Sequence, residues 1–147
     1  METITQSKGI KIAAMIVRYL MGLIFFIGGL NGFLNFIPVP PLEGDTLTYM
    51  PGLSVTRYFF PMLKFFEIIA GVFLLSGFYV PLVLAILVPI TLNIFMLHAA
   101  MALEGMPLSI FVLGGNILLA WTYRENFKVF LLENSNYCCF HKEEIQK

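Results

Sequence analysis

The feature that most constrains this chain is residues 61–98, where two long apolar runs are separated by a break at residues 77–81. A helix that crosses the hydrocarbon of a bilayer needs about 20 mostly apolar residues, and each run approaches that length. Within the runs lie a pair of charged residues, Lys64 and Glu67, and two strongly polar ones, Asn93 and His98. Hydrocarbon does not tolerate such groups singly, so the sequence predicts a polar site inside a membrane.

The composition supports the same interpretation for the whole chain. Hydrophobic residues make up 59% of its 147 residues and charged residues 12%, whereas a soluble domain carries about half apolar and a quarter charged residues. We therefore predict one all-α domain over residues 1–147, an integral membrane four-helix bundle of up-down topology. The predicted spans cover approximately residues 12–36, 58–77, 81–101 and 108–123, and a polar tail follows at 124–147.

One long loop, residues 38–57, separates the first two spans. It contains Pro38, Pro40, Pro41 and Pro51. Proline removes a backbone donor and clashes with the preceding turn of a helix, so the sequence predicts no regular helix in this loop.

The distribution of Lys and Arg predicts how the spans are oriented. Cytoplasmic ends of membrane helices carry an excess of Lys and Arg, and Arg57 is the single such residue in the two loops of the opposite side. Both termini are therefore expected in the cytoplasm. The formal net charge is zero, which argues against a nucleic-acid partner. The residues that set this orientation are Lys8, Lys11, Arg18, Arg124, Lys128, Lys142 and Lys147.

Glycines in the apolar runs predict close packing between helices. Small residues let helix backbones approach each other in lipid, and the first span has two glycine-containing faces, which suits a helix between two neighbours. The glycines assigned to packing are Gly22, Gly28, Gly29, Gly32, Gly71, Gly114 and Gly115.

The polar residues predict one ligand-binding pocket. Lys64 and Glu67 lie three residues apart on one helix face, where each reduces the burial cost of the other. Asn93 follows Pro89 by one turn and is expected to satisfy backbone freed by the proline. At a rise of roughly 1.5 Å per residue, all five candidates fall in the outer half of the membrane. The candidate ligand-binding residues are Asn31, Lys64, Glu67, Asn93 and His98.

Other chemistries find little support in the sequence. No metal site is expected, because His98 and Glu104 lack a ligand spacing on one helix face. No catalytic residue is assigned, since no serine has a neighbouring base in the sequence. Cys138 and Cys139 are adjacent in the polar tail and form no C-x-x-C motif. We expect that the chain is not an enzyme on its own.

Taken in order, several short motifs resemble the DoxX-like family of small four-helix membrane proteins, over approximately residues 18–127. They are Leu30-Asn31-Gly32-Phe33, Phe36-Ile37-Pro38, Tyr58-Phe59 before Pro61, Glu67 with Gly71, Val80-Pro81-Leu82, Pro89 with Asn93 and His98, and Tyr123-Arg124 before Phe127. The resemblance implies a bacterial inner-membrane protein. The family is similar to DoxD-type subunits associated with thiosulfate:quinone oxidoreduction, which implies a quinone as ligand and an oxidoreductase as partner.

Three functions remain open at this point. The first is an accessory membrane subunit that binds a quinone-like or other apolar molecule and supports an oxidoreductase. A quinone headgroup offers two carbonyl acceptors for Asn31, Asn93 and protonated His98, and Glu67 would exchange a proton with its reduced form. The second is a small transporter or binder of a hydrophobic metabolite, and the third is a structural membrane protein without ligand. The sequence also leaves open whether the protein forms a homo-oligomer.

Overall fold

The structure, a computed structural model, describes residues 8–38, 41 and 43–127, and within these ranges the chain is helical and contains no strand. A 3-10 turn, Leu103–Gly105, precedes the last helix. The helices in chain order are α1 Lys8–Leu34, α2 Thr46–Ser54, α3 Phe59–Ser76, α4 Val80–Met101 and α5 Met106–Thr122.

Four apolar segments are long enough to cross a membrane: α1, α3, α4, and α5 together with the 3-10 turn. The all-helical class and the four membrane-compatible helices are therefore confirmed. The helix ends differ from the predicted span ends by at most four residues, at Lys8 of α1. Most of the predicted tail, including Cys138 and Cys139, lies outside the described residues.

The prediction for the long loop was wrong, because α2 forms within it. Glu43 and Thr46 organise the start of this helix: the Glu43 amide donates to Thr46 Oγ1, and that hydroxyl donates to the Glu43 carbonyl. Pro51 lies inside α2. In a helix of nine residues, proline removes one backbone hydrogen bond, and the remaining turns still form.

Residues in the left-handed region of backbone space end two of the long helices. Asn35 follows α1 with φ 50°, and its amide donates to the carbonyl of Asn31 at 2.9 Å. Gly77 ends α3 with φ 79°, and Tyr79 precedes α4 with φ 51°. Glycine and asparagine adopt this conformation most readily, and the two left-handed residues give α3 and α4 a connection of only three residues, 77–79.

The helices associate mainly as two pairs. α1 packs most extensively on α3, and α4 packs on α5. The contact between α1 and α5 is smaller, and that between α3 and α4 is smaller still. The buried apolar core lies between the four helices and is formed by Ala14, Met21, Phe25, Ala70, Leu74, Val80, Val83, Leu84, Leu87, Val112 and Leu119.

Large apolar side chains also cover the outside of the helices. Ile12 of α1, Phe65 of α3, Met96 of α4 and Ile117 of α5 are each more than half exposed. A soluble monomer rarely exposes a contiguous apolar surface of this extent. Lipid hydrocarbon is the environment that such a surface fits, so this outer surface agrees with membrane-spanning helices.

Candidate functional site

The strongest polar feature among the described helices is the ion pair of Lys64 and Glu67 on α3. Lys64 Nζ donates to Glu67 Oε2 at 2.8 Å. The Glu67 side chain is only 7% exposed and that of Lys64 is 28% exposed. The predicted pairing of these two residues is therefore present, with the carboxylate inside the bundle and the ammonium nearer its surface.

Glycines of α1 make room for this pair. A Cβ atom at Gly32 would overlap the aliphatic stem of Lys64, and one at Gly29 would lie 3.0 Å from the Lys64 carbonyl oxygen. On the opposite side of the contact, a Cβ at Gly71 would lie 2.6 Å from the Phe26 backbone nitrogen. The two backbones approach so closely here that α1 covers the charged segment of α3, as expected for small residues between membrane helices.

The predicted position of α1 between two neighbours is present, but its second glycine face does not make the second contact: Gly28 lies beside Glu67 of α3, and the assignment of Gly114 to packing was also wrong. Gly22 faces Leu75 of α3, whereas Gly115 of α5 faces Met21 of α1, so α1 lies between α3 and α5. Gly114 has no neighbouring atom within 4 Å and is exposed. It points away from the other helices because it is one residue, about 100°, around α5 from Gly115.

Glu67 retains hydrogen-bonding capacity next to Gly28 of α1. Its Oε2 accepts from Lys64, and none of the described residues donates to its Oε1. Gly28 of α1 lies next to this carboxylate, and a Cβ there would be 3.9 Å from Oε2, an ordinary van der Waals distance. An ionised carboxylate offers about four lone-pair sites. A donor that reached this position from a bound molecule would therefore find an acceptor in an apolar surrounding.

Asn31 is engaged elsewhere. Its Oδ1 accepts from the Ile37 amide at 2.6 Å, and its Nδ2 donates to the Ile37 carbonyl at 3.1 Å. Both bonds close the turn that Asn35 begins after α1. Asn31 thus stabilises the end of a helix, and its amide is already occupied on both sides.

His98 and Asn93 are not joined to the ion pair by any hydrogen bond among the described residues. His98 Nδ1 donates to the Ile94 carbonyl of its own helix at 2.8 Å, and the ring packs against Gly105 of the 3-10 turn. Asn93 is exposed on the outer face of α4 and makes no hydrogen bond there with described residues. The expected bond from Asn93 to backbone near Pro89 is therefore not present.

The structure brings together polar residues that sequence reasoning did not pair. Thr91 of α4 and Asn116 of α5 are buried, and Asn116 Nδ2 donates to Thr91 Oγ1 at 3.4 Å. Thr91 also donates to the Val88 carbonyl at 3.1 Å. The sequence signal that could have indicated this contact is a polar residue near the middle of each apolar run, since such residues face other helices rather than lipid.

A second cluster lies at the other end of α3. Arg18 of α1 extends to Gly77, where a Cβ would lie 2.7 Å from its Nη1. The same nitrogen donates to the Tyr123 hydroxyl at 3.5 Å, and the guanidinium lies 5.0 Å from the centre of the Tyr19 ring. Arg18 therefore connects α1 with the ends of α3 and α5, where a cation also suits the negative end of the α3 dipole.

The described residues define a class of protein, an all-helical chain with four membrane-compatible helices and an ion pair whose carboxylate is buried. Within the described ranges, no three His, Cys, Asp or Glu side chains converge as a metal site. No family model matches the chain, and neither the curated proteins nor the solved structures compared with it give a match. The DoxX-like resemblance therefore stays a prediction.

Proposed function

We propose that this chain is a DoxX-like accessory subunit of the bacterial inner membrane that binds a quinone-like or other apolar molecule beside Glu67. Four apolar helices support a multi-pass protein. Short connections after α3 and α4 favour an up-down bundle, since such loops join antiparallel neighbours. The Lys and Arg distribution favours cytoplasmic termini, and the family resemblance favours an oxidoreductase as partner.

The single observation that carries the ligand proposal is that only one oxygen of the Glu67 carboxylate accepts a hydrogen bond from the described residues. The carboxylate is buried, one oxygen is bound by Lys64, and the other has no donor among the described residues. A reduced quinone presents a hydroxyl donor on an apolar ring, which fits an acceptor inside an apolar wall. Lys64, which is partly exposed, would donate to a carbonyl of the oxidised form.

The proposed site is smaller than the one that the sequence predicted. Lys64 and Glu67 remain its polar residues, and Gly28 of α1 adjoins the Glu67 carboxylate. The amide of Asn31 is used in the turn after α1, while Asn93 and His98 lie on α4 without a hydrogen bond to the pair. We therefore leave these three residues out of the proposed site.

The test is mass spectrometry of the lipid extract from purified protein. We expect a quinone or another apolar molecule with a hydrogen-bonding headgroup to co-purify with the wild-type chain. Glu67→Gln should lower its amount about fivefold to tenfold, because a hydrogen bond to a charged group is worth more than a neutral one. Glu104→Gln is the matched control, since Glu104 is exposed on the 3-10 turn. Equal loss in both variants, or none in either, would contradict the proposal.

A structural role is the second candidate, and one observation favours it. The stem of Lys64 fills the space over Gly32, so the residue holds α1 to α3 whether or not a ligand binds. If the wild-type protein carries no small molecule and Glu67→Gln lowers only its stability, this role replaces the first.

The proposed orientation has a separate test at the tail cysteines. A membrane-impermeant thiol reagent should leave Cys138 and Cys139 unlabelled in intact cells and should label them once the cells are permeabilised. Labelling in intact cells would overturn the cytoplasmic placement of the termini.

A further inference from the structure

The exposed face of α4 carries a polar group that lipid cannot satisfy. Asn93 is the fourteenth of 22 residues in α4, so it lies about 20 Å from one end and 12 Å from the other. Its side chain is exposed, and it has no hydrogen-bond partner among the described residues. In hydrocarbon of about 30 Å thickness this depth offers no water, and an unpaired amide there costs free energy.

The surroundings of Asn93 form a narrow stripe along the helix. At 100° per residue, Leu82, Ala85, Pro89, Asn93, Met96 and Ala100 lie within about 80° of one another. All six are exposed, whereas the buried residues of α4 are Val80, Val83, Leu84, Leu87 and Thr91. Three of the six stripe residues are Ala or Pro, which project little from the backbone and permit another helix to approach closely.

We propose that this stripe is a homodimer interface in which Asn93 of one copy hydrogen-bonds Asn93 of the other. A carboxamide is both donor and acceptor, so two amides related by a two-fold axis satisfy each other. Membrane insertion gives both copies the same orientation and depth. An axis along the membrane normal therefore places Asn93 opposite Asn93 without any adjustment, which an unrelated helix would match only by coincidence. The face is separate from Glu67, so the inference does not depend on ligand binding.

Cross-linking in membranes tests the location of the interface. Cys138→Ser and Cys139→Ser remove the native thiols, and Met96→Cys then adds one on the stripe beside an intact Asn93. Ile117→Cys on α5 is the control, since Ile117 is 63% exposed and Met96 is 59% exposed. We expect mild oxidation to give disulfide dimers through position 96 and few through position 117. Equal or stronger cross-linking at position 117, or none at position 96, would overturn the proposal.

Substitution of Asn93 tests the hydrogen bond itself. In bilayers of defined protein-to-lipid ratio, Asn93→Leu should raise the dimer dissociation constant roughly fivefold to tenfold, in line with the modest strength of interhelical polar contacts in membranes. Asn93→Gln keeps the amide and should stay within about twofold of the wild type. Leucine is well tolerated by lipid, so the variant should fold. An unchanged constant, a monomeric wild-type protein, or loss of a bound lipid or quinone without a change in association would each refute the interface.

Discussion

The two helix pairs with the most extensive contacts bury polar groups in different ways. Between α1 and α3, glycines bring the backbones together and a charged pair lies at the contact. In the α4–α5 pair, Leu87 and Leu119 belong to the buried core, and among the described residues the side-chain hydrogen bond between the two helices is the neutral one from Asn116 to Thr91.

The difference shows how the cost of burial sets the packing. A charge in a low-dielectric interior must be both paired and covered, and close backbone contact over Gly29 and Gly32 provides that cover. A neutral amide costs less to bury than a charge, and here Asn116 donates one hydrogen bond to Thr91. Variants at each contact should therefore differ in the size of their effect.

The largest effect is expected when the charge pair is broken. Lys64→Met keeps an unbranched side chain over Gly32 and leaves the Glu67 carboxylate unpaired. We expect the free energy of unfolding to fall by about 2–3 kcal/mol, at or below the low end of values for buried pairs because Lys64 is partly exposed. Lys11→Met, on an exposed residue of α1, should change it by less than about 0.5 kcal/mol.

A double-mutant cycle in lipid or detergent, followed by reversible unfolding, checks this coupling. Lys64→Met combined with Glu67→Gln should lose less than the sum of the two single losses. Additive losses would show that the two residues act independently.

Gly71→Ala should have the next largest effect. Its new methyl group would meet the Phe26 backbone, which cannot rotate away, so α1 and α3 must separate at a cost of about 2 kcal/mol. Gly114→Ala is the matched control because the space around Gly114 is open. It should be neutral or slightly stabilising, since alanine favours a helix over glycine. The same unfolding measurement serves both, and similar losses in the two variants would contradict the close approach of α1 and α3.

The smallest effect is expected at the neutral contact. Thr91→Val removes the acceptor of Asn116 and should cost about 0.6 kcal/mol, a typical value for polar contacts between membrane helices. Thr48→Val, on an exposed residue of α2, is the control and should leave stability unchanged. If Thr91→Val lowered the free energy of unfolding as much as Lys64→Met does, the distinction between the two helix pairs would be lost.

The sequence predicted what depends on local pattern. Apolar run length located the four long helices, and the three-residue spacing placed Lys64 and Glu67 on one face. The prolines led to a wrong prediction for residues 38–57. The one proline inside α2, Pro51, costs that helix only one backbone hydrogen bond, while Thr46 and Glu43 organise its start.

The predicted five-residue site depended on information that the sequence does not hold. Depth along a helix follows from residue number, but the direction of a side chain depends on how each helix rotates against its neighbours. Asn93 and Thr91 are two residues apart, about 160° around α4, so one is exposed and the other buried. Asn31 was misplaced for another reason: the left-handed turn at Asn35 brings Ile37 within its reach.

The short connection at residues 77–79 bears on the order in which the helices pack during synthesis. It joins α3 and α4, the consecutive long helices that touch least, so each extensive pair is formed by segments on one side of it. Residues 8–76 already contain both members of the first pair. We therefore expect that, on the ribosome, Glu67 enters the bilayer with Lys64 beside it and α1 ready to shield it, before the later half of the chain emerges.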